Sequence, residues 1–356
     1  MQSIFIPILS CLILLISGPM TESSAEPNWQ IRPSLTISET YNSNIFSNAN
    51  ETEDFITGIG ARLNTSYTGA NVELQTNYLA TLNTYAHHPE LNVVTHDGSV
   101  NVDATRWFRK YFREVNITVT ENFTYTPELR DYYFDESRGG AGPLSNYGIS
   151  TGRNDSFRNA SSVEMRFPLS HNQDMNLRYS NLLTEFSDPR LIDNMVHNIS
   201  MGTSFAGQRN TLSGNIGVTR SQTDSADSNN YFITTGLRHM FSPVTQCEVT
   251  IGGDIIDNEI VGHTSNLRGA LRFSTMSEFL TYNIGYSREL NAGSGVSRLP
   301  VVAQLIYINV GVRYTRRLSS NITGNYSKNT SLRGSQVDIQ SYNISWGASY
   351  IIRQWL

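Results

Sequence analysis

The sequence predicts an all-β fold: a transmembrane antiparallel up-and-down β-barrel of about sixteen strands. Three observations predict it: long segments alternate apolar and polar residues, the connections between them alternate in length, and charged residues are scarce. Charged residues make up only 16% of the chain, whereas a soluble globular domain has about 25%. Asn, Ser, Thr, Gly and Tyr take their place, and 18 Tyr and 15 Phe are present. Such a composition suits a wall that is apolar outside, neutral-polar inside and aromatic at both rims.

Alternation is the primary signal, because successive side chains of a strand point to opposite faces of a sheet. In 115–125 the odd positions are apolar except for Glu121, and the even positions are all Asn or Thr. In 342–350 the even positions are Tyr, Ile, Trp, Ala and Tyr. A membrane-spanning strand needs about 9–11 residues. The predicted strands are 29–41, 54–68, 71–85, 96–108, 113–126, 158–169, 174–187, 195–205, 210–220, 230–241, 246–257, 264–275, 278–288, 301–316, 320–328 and 337–352.

The connections between these segments alternate between short and long. Short turns are predicted at 69–70, 109–112, 170–173, 206–209, 242–245, 276–277 and 317–319. Longer loops are predicted at 42–53, 86–95, 127–157, 188–194, 221–229, 258–263, 289–300 and 329–336. Outer-membrane barrels have short periplasmic turns and longer extracellular loops. We therefore predict the outer membrane of a Gram-negative bacterium as the location, surrounding lipids as partners, and both termini in the periplasm.

The first 25 residues have the pattern of a cleaved signal peptide. An apolar run at 4–16 is followed by Gly18-Pro19, and Ser23-Ser24-Ala25 suits cleavage after Ala25. The run is shorter than the ~20 apolar residues of a membrane-spanning helix. We predict a signal peptide over 1–25 and a single barrel domain over 26–356.

Composition and spacing exclude several classes of function. After cleavage only Cys247 remains, so no disulfide can form within the chain. A net charge of −5 argues against a nucleic-acid partner. The histidines, including His87 and His88, lack metal-ligand spacing, and no cofactor motif is present. We predict no metal, no cofactor and no enzymatic activity.

The odd or even position of each residue in its strand determines the face on which it lies, and this parity places a set of charged residues on the inner wall. Two interpretations stay open: a pore that favours anionic or neutral hydrophilic solutes, or charges that pair across strands and stiffen the wall. The long 127–157 loop either folds inward to constrict the pore or lies on the surface. The predicted inner-wall charges are Arg32, Arg62, Arg166, Arg178, Arg238, Arg268, Arg272 and Arg313, with Glu73, Asp103, Glu164, Glu248 and Asp254.

One segment resembles a known family. Residues 34–46 read SLTISETYNSNIF and residues 53–57 read EDFIT. This resembles the opening of outer-membrane β-barrel proteins associated with exosortase and exopolysaccharide gene clusters, whose pattern is E-x-Y-x-x-N-[IV], a loop, then D-F-I-T. Ser43 departs from the Asp that usually precedes the second Asn. The resemblance covers about thirty residues. It implies a role near polysaccharide export, with periplasmic export components as partners, and it implies no catalytic residues.

A second short sequence motif suggests a catalytic site. His263-Thr264-Ser265-Asn266 is similar to the H-x-S-N-G signature of outer-membrane phospholipase A, with Leu267 in place of Gly. His263 and Ser265 are two apart and so share one face of a strand. A histidine beside a serine can act as general base for acyl transfer. A channel is therefore the main prediction, and the alternatives are a non-conducting barrel that binds partners through its loops and a lipid esterase.

Overall fold

In a computed structural model the described residues are 28–42, 45–46, 52–112, 114–126, 155–223, 226–260, 262–291, 300–332 and 338–350. The predicted signal peptide, most of the 127–157 loop and the last six residues lie outside this set. The predictions made for them stay predictions.

The described strands form one sixteen-stranded sheet in chain order, and each strand pairs antiparallel with its sequence neighbours. The predicted fold class and the number of strands are confirmed. The strands are β1 Asn28–Asn42, β2 Asp54–Thr68, β3 Glu73–Tyr85, β4 Val93–Asp103, β5 Asn116–Thr126, β6 Ser156–Ser170, β7 Gln173–Phe186, β8 Asn194–Ala206, β9 Asn210–Thr223, β10 Asp227–Ser242, β11 Thr245–Asn258, β12 Gly262–Met276, β13 Leu280–Asn291, β14 Val301–Arg313, β15 Leu318–Ser331 and β16 Asp338–Tyr350.

The two faces of the sheet have opposite character, and they are inverted relative to a soluble protein. On β10, Tyr231 and Ile233 are 54% and 63% exposed, whereas Asn230 on the other face is 8% exposed. We call the face of Tyr231 and Ile233 the apolar face and the face of Asn230 the polar face. Soluble proteins bury large apolar residues and expose polar ones. This sheet exposes its aliphatic and aromatic side chains, as a wall that faces lipid does.

The connections define two ends of the sheet. The end of the predicted short turns is the turn end, and the other is the loop end. At the loop end two predicted long loops are shorter than expected: the chain between β9 and β10 is only 224–226, and that between β11 and β12 is only 259–261. The strands extend into both predicted loops, because the β9–β10 ladder continues to Asp227↔Gln222 and the β11–β12 ladder continues to Asn258↔Gly262.

The connection from β4 to β5 differs from the prediction. Strand β4 ends at Asp103, and a short helix, α1 (Thr105–Phe108), follows where the sequence predicted strand. Asp103 causes the change, because its Oδ1 accepts a hydrogen bond from Thr105 N at 2.8 Å and turns the chain. A single 3₁₀ turn, Pro89–Leu91, lies between β3 and β4. No helix within the described ranges is long and apolar enough to cross a membrane.

The first and last strands are the two edges of the described sheet. Among the described ladders, β1 pairs with β2, β16 pairs with β15, and none joins β1 to β16. Both edges are exposed: Ile37 on β1 is 71% exposed and Ile344 on β16 is 80% exposed.

Candidate functional site: the polar face

Every charged residue predicted for the inner wall lies on the polar face. The register shows this by cross-strand pairing: Arg62 lies opposite Ser34, Glu73 opposite Asp103, and Glu164 opposite Arg178. These thirteen positions are Arg32, Arg62, Glu73, Asp103, Glu164, Arg166, Arg178, Arg238, Glu248, Asp254, Arg268, Arg272 and Arg313. The polar face therefore carries most of the charged residues of the strands, and we treat it as the candidate site.

Some of these charges pair across neighbouring strands, as the second interpretation of the sequence expected. Arg238 Nη2 lies 3.2 Å from Glu248 Oε2, and both side chains are about one-third to one-half exposed. Arg166 pairs with Asp174 near the turn end. Such exposed pairs contribute little, typically about 0–1 kcal/mol. They hold side chains in place more than they stabilise the sheet.

One pair on the polar face is buried. Arg268 Nη2 lies 3.0 Å from Asp254 Oδ1, and Arg268 Nε donates to Oδ2 at 3.4 Å. Asn230 Nδ2 donates to the same carboxylate at 3.1 Å, and the guanidinium lies 4.6 Å from the centroid of the Phe232 ring. The Asp254 side chain is fully buried and that of Arg268 is 22% exposed. A bidentate pair with an added amide donor satisfies most of the polar atoms that burial removes from water.

Other arginines have no carboxylate partner within the described part of the chain. Arg32 Nη2 donates to Gln30 Oε1 at 2.7 Å, and Arg272 Nε donates to Asn283 Oδ1 at 3.0 Å. Arg62, Arg178 and Arg313 are exposed. These arginines lie in the half of the sheet nearer the turn end, with Arg62 and Arg178 closest to mid-strand. Their charge is available to a solute.

The eight arginines and five acids predicted for the inner wall do not make up the whole charge of the polar face. Asp54, Asp97, Asp174 and Glu289 also lie on it, as does Arg158, so acids and arginines are equal in number on the described polar face. Asp54 and Asp97 lie toward the loop end and at mid-strand, so the unpaired arginines still leave the turn-end half basic. The charge therefore changes along the strand direction rather than being uniform.

Burial on the polar face also changes along the strand direction. Near the loop end, small polar side chains of nine strands are almost completely buried. Near the turn end, Arg166, Arg178, Arg238 and Arg313 are exposed. The polar face is therefore open at the turn end and closely packed at the loop end. The buried polar residues of the loop-end half are Asp54, Thr95, Thr124, Thr126, Thr184, Asn194, Ser221, Ser228, Asn230, Asp254, Asn258, Ser327, Asn329 and Ser331.

The segment that resembles a known family forms contacts between two loops. The Asp54 side chain is fully buried and accepts hydrogen bonds from His88 Nδ1 at 2.8 Å and from His87 N at 3.0 Å. Thr57 Oγ1 donates to Glu39 Oε2 at 2.7 Å. Asp54 thus fixes the 86–92 connection onto the start of β2, whereas Glu39 joins β1 to β2. Their geometry is structural, and His87 and His88 serve as partners of Asp54 rather than as an independent pair.

The residues of the phospholipase-like string separate onto the two faces. His263 and Ser265 lie on the apolar face near the loop end, whereas Asn266 lies on the polar face, where its Oδ1 accepts a hydrogen bond from Arg288 Nη2 at 3.1 Å. Sequence reasoning missed Asp257, which lies opposite His263 on β11, with its Oδ1 3.4 Å from His263 Nδ1. The missing signal was the β11–β12 register, which cannot be read from one strand.

A groove of about 710 Å³ crosses the apolar face from β7 to β12. Leu267, two residues beyond Ser265, is one of its lining residues, together with Ile251 and Ile233. Gly214 helps to keep the groove open, because no atom lies where its side chain would be. An acyl chain could lie in it with its polar end toward His263 and Ser265.

Metal ligation has no support in the described ranges, where no group of three His, Cys, Asp or Glu side chains is placed to hold an ion. Cys247 is a free, half-buried thiol of β11.

Comparison with known proteins yields similarity of fold only. No protein-family model matches the chain, and no curated protein matches it. Among solved structures, the FrpB iron transporter from Neisseria meningitidis is similar over 92% of this chain, with 9% identity and a TM-score of 0.46. The outer-membrane protein OmpT of Vibrio cholerae is similar over 92% of this chain, with 12% identity and a TM-score of 0.42. The chain spans 60% of the FrpB chain and 98% of the OmpT chain. Nothing about activity follows from such low values.

Proposed function

We propose that this protein is an outer-membrane β-barrel channel for hydrophilic solutes, with its polar face as the lumen, the turn end in the periplasm and the loop end outside. The single observation that carries the proposal is the inversion of the sheet: apolar side chains are exposed, and most of the strand charges lie on the opposite face. Lipid offers no hydrogen bonds, so the backbone edges of β1 and β16 must pair to close the barrel. About sixteen strands then surround a water-filled lumen.

The lumen of such a channel would have a wide vestibule at the turn end and a constriction at the loop end. The buried Ser, Thr and Asn side chains at the loop end support the constriction. Arginines without carboxylate partners support an anion preference in the vestibule, because rings of fixed positive charge favour anions. The constriction limits conductance, and the vestibule sets the selectivity.

Single-channel recording of the refolded protein in a planar bilayer tests this function. We expect small, steady conductance steps and a reversal potential under a salt gradient that indicates anion preference. Absence of steps from a folded barrel would contradict the channel and favour the alternative, a non-conducting barrel that binds partners through its loops.

The unpaired arginines should set the selectivity. We expect R62Q/R178Q/R313Q to lose most of the anion preference, with a several-fold lower anion-to-cation permeability ratio, because three vestibule charges are removed. R238Q is the matched control: it removes one lumen charge that Glu248 already neutralises. An equal change in R238Q would contradict a role for the unpaired set.

A more specific form of this proposal is that the channel passes exopolysaccharide. The family resemblance of residues 34–57 supports it. Periplasmic export components would then meet the turn end. Deletion of the gene should lower the amount of polysaccharide at the cell surface, and plasmid-borne protein should restore it. Unchanged polysaccharide in the deletion strain would remove this form of the proposal and leave the channel itself untouched.

A second candidate is a lipid esterase on the apolar face, favoured by the contact of Asp257 with His263. In this proposal Ser265 Oγ attacks an ester carbonyl, His263 accepts its proton and passes it to the leaving alcohol, and Asp257 orients the imidazole. Water then hydrolyses the acyl-serine. The groove beside Leu267 would receive the acyl chain.

Ester hydrolysis in mixed micelles tests this second candidate. We expect S265A to abolish any activity and D257N to lower it at least tenfold, because the imidazole loses its orienting partner. S204A on the polar face of β8 is the matched control. Activity that survives in S265A, or none in the parent protein, would exclude the esterase.

A further inference from the structure

The connection between β4 and β5 is fixed across the turn-end rim. Ala104 N donates to Ile117 O at 3.0 Å, and Ile117 N donates to Thr105 Oγ1 at 3.0 Å. On the other side, Arg106 Nη1 donates to Gly69 O at 3.1 Å and its Nη2 donates to Glu73 Oε1 at 2.6 Å. The helical turns continue to Phe112, whose N donates to Phe108 O at 2.8 Å. We call residues 106–112 the aromatic–basic turn; it is anchored from the β2–β3 turn to β5.

Next to this connection, residues of the apolar face are buried at the turn end. Leu74, Val102, Val115 and Ile117 belong to that face at the turn end and are 3–8% exposed. Elsewhere on the same face large apolar residues are mostly exposed. The aromatic–basic turn therefore sits at the turn-end rim, on the side of the apolar face.

Aromatic side chains of the turn point outward. The Trp107 ring packs edge-on against Phe108 at 4.7 Å and lies 6.2 Å from Tyr111. Tyr111 and Phe112 are 70% and 58% exposed. Aromatic rings of this kind are enriched at membrane–water interfaces, where an apolar body meets a polar tip.

Two positive charges lie among these rings. Arg109 and Lys110 are exposed. The contact of Arg109 is with Asn116 Oδ1 at 3.5 Å, and neither residue pairs with a carboxylate within the described part of the chain. Basic side chains beside a membrane surface attract anionic lipid, by about fivefold in affinity for each charge.

We propose that the aromatic–basic turn binds the phosphate of an anionic phospholipid in the leaflet at the turn end of the barrel. Arg109 and Lys110 contact the phosphate, and Tyr111 and Phe112 lie among the upper acyl carbons. The inference goes beyond the channel, and it requires only that the barrel lies in a membrane.

Fluorescence quenching of Trp107 tests the proposal. The variant W29F/W346F/W355F keeps Trp107 as the single tryptophan and is placed in nanodiscs. Quenching by brominated phosphatidylglycerol is compared with quenching by brominated phosphatidylcholine. We expect at least a fivefold preference for phosphatidylglycerol, lost in 1 M salt because screening then acts within about 3 Å. The companion variant W29F/W107F/W355F, which reports from Trp346, should show no preference.

Charge variants in the Trp107 background identify the site. In R109Q/K110Q the ratio of quenching by brominated phosphatidylglycerol to quenching by brominated phosphatidylcholine should fall below two. R109K/K110R should keep the preference of the parent. R316Q/R317Q, which removes two exposed charges from the β14–β15 turn, should also keep it. No preference in the parent, or an unchanged preference in R109Q/K110Q, would overturn the proposal. Circular dichroism verifies that each variant is folded, and conductance is recorded separately, so failure of the lipid site is distinguishable from failure of the channel.

Discussion

Replacing Asp254 by Asn should destabilise the barrel by about 3 kcal/mol, because the substitution leaves Arg268 largely buried without a counter-charge. The asparagine keeps the shape of the side chain, so the loss reports charge rather than packing. Urea unfolding in lipid vesicles measures it as a lower midpoint at an unchanged slope.

The exposed pair on the same face supplies the control for this result. E248Q removes the partner of Arg238, whose side chain is 46% exposed and stays hydrated. We expect a loss below about 1 kcal/mol. Equal losses in D254N and E248Q would show that the lumen around Asp254 is wet, and the packed loop-end constriction would then be wrong.

Placing a positive charge on the apolar face should be almost as damaging. Ile216, 47% exposed, lies near the middle of β9. We expect I216R to cost about 2–4 kcal/mol, because an arginine at the bilayer midplane must leave water. The measurement is the unfolding free energy of the protein refolded in vesicles.

The neighbouring residue gives a matched control. Asn215 lies on the polar face, opposite Gly202, so an arginine at this position faces the proposed lumen and keeps its charge in water. N215R should therefore change the unfolding free energy by less than about 1 kcal/mol. Similar losses in I216R and N215R would contradict the assignment of the apolar face to lipid.

The sequence was sufficient to predict the features that depend on the alternation of apolar and polar residues. The sixteen strands and the face of each charged residue follow from parity, because a strand repeats every two residues. Where a side chain interrupts this alternation, its own hydrogen bonds determine the local structure. The helix after Asp103 could not be predicted for this reason. Glu121 interrupts the alternation too: it lies at the middle of β5 on the apolar face, where it accepts a hydrogen bond from Asn159.

The pairing of charges could not be predicted, because it depends on register between strands. The sequence placed Asp254 and Arg268 on one face, but only the β11–β12 ladder brings them together. The same ladder brings Asp257 to His263. The burial of side chains along the lumen could not be predicted from the sequence either. Ser, Thr and Asn occupy the polar face of a strand whether they are closely packed or hydrated.

The chain-order pairing of the strands has a kinetic consequence. Each described ladder joins sequence neighbours, so the contact order is low for a β-protein and each hairpin can form locally. Closure of the barrel would join β1 to β16, roughly 300 residues apart, at an entropic cost about 2 kcal/mol above that of a 30-residue hairpin. Closure should therefore be the last step of folding. Until then the two edges can pair with the wrong chain, and Pro33, which cannot donate a ladder hydrogen bond, weakens one of them.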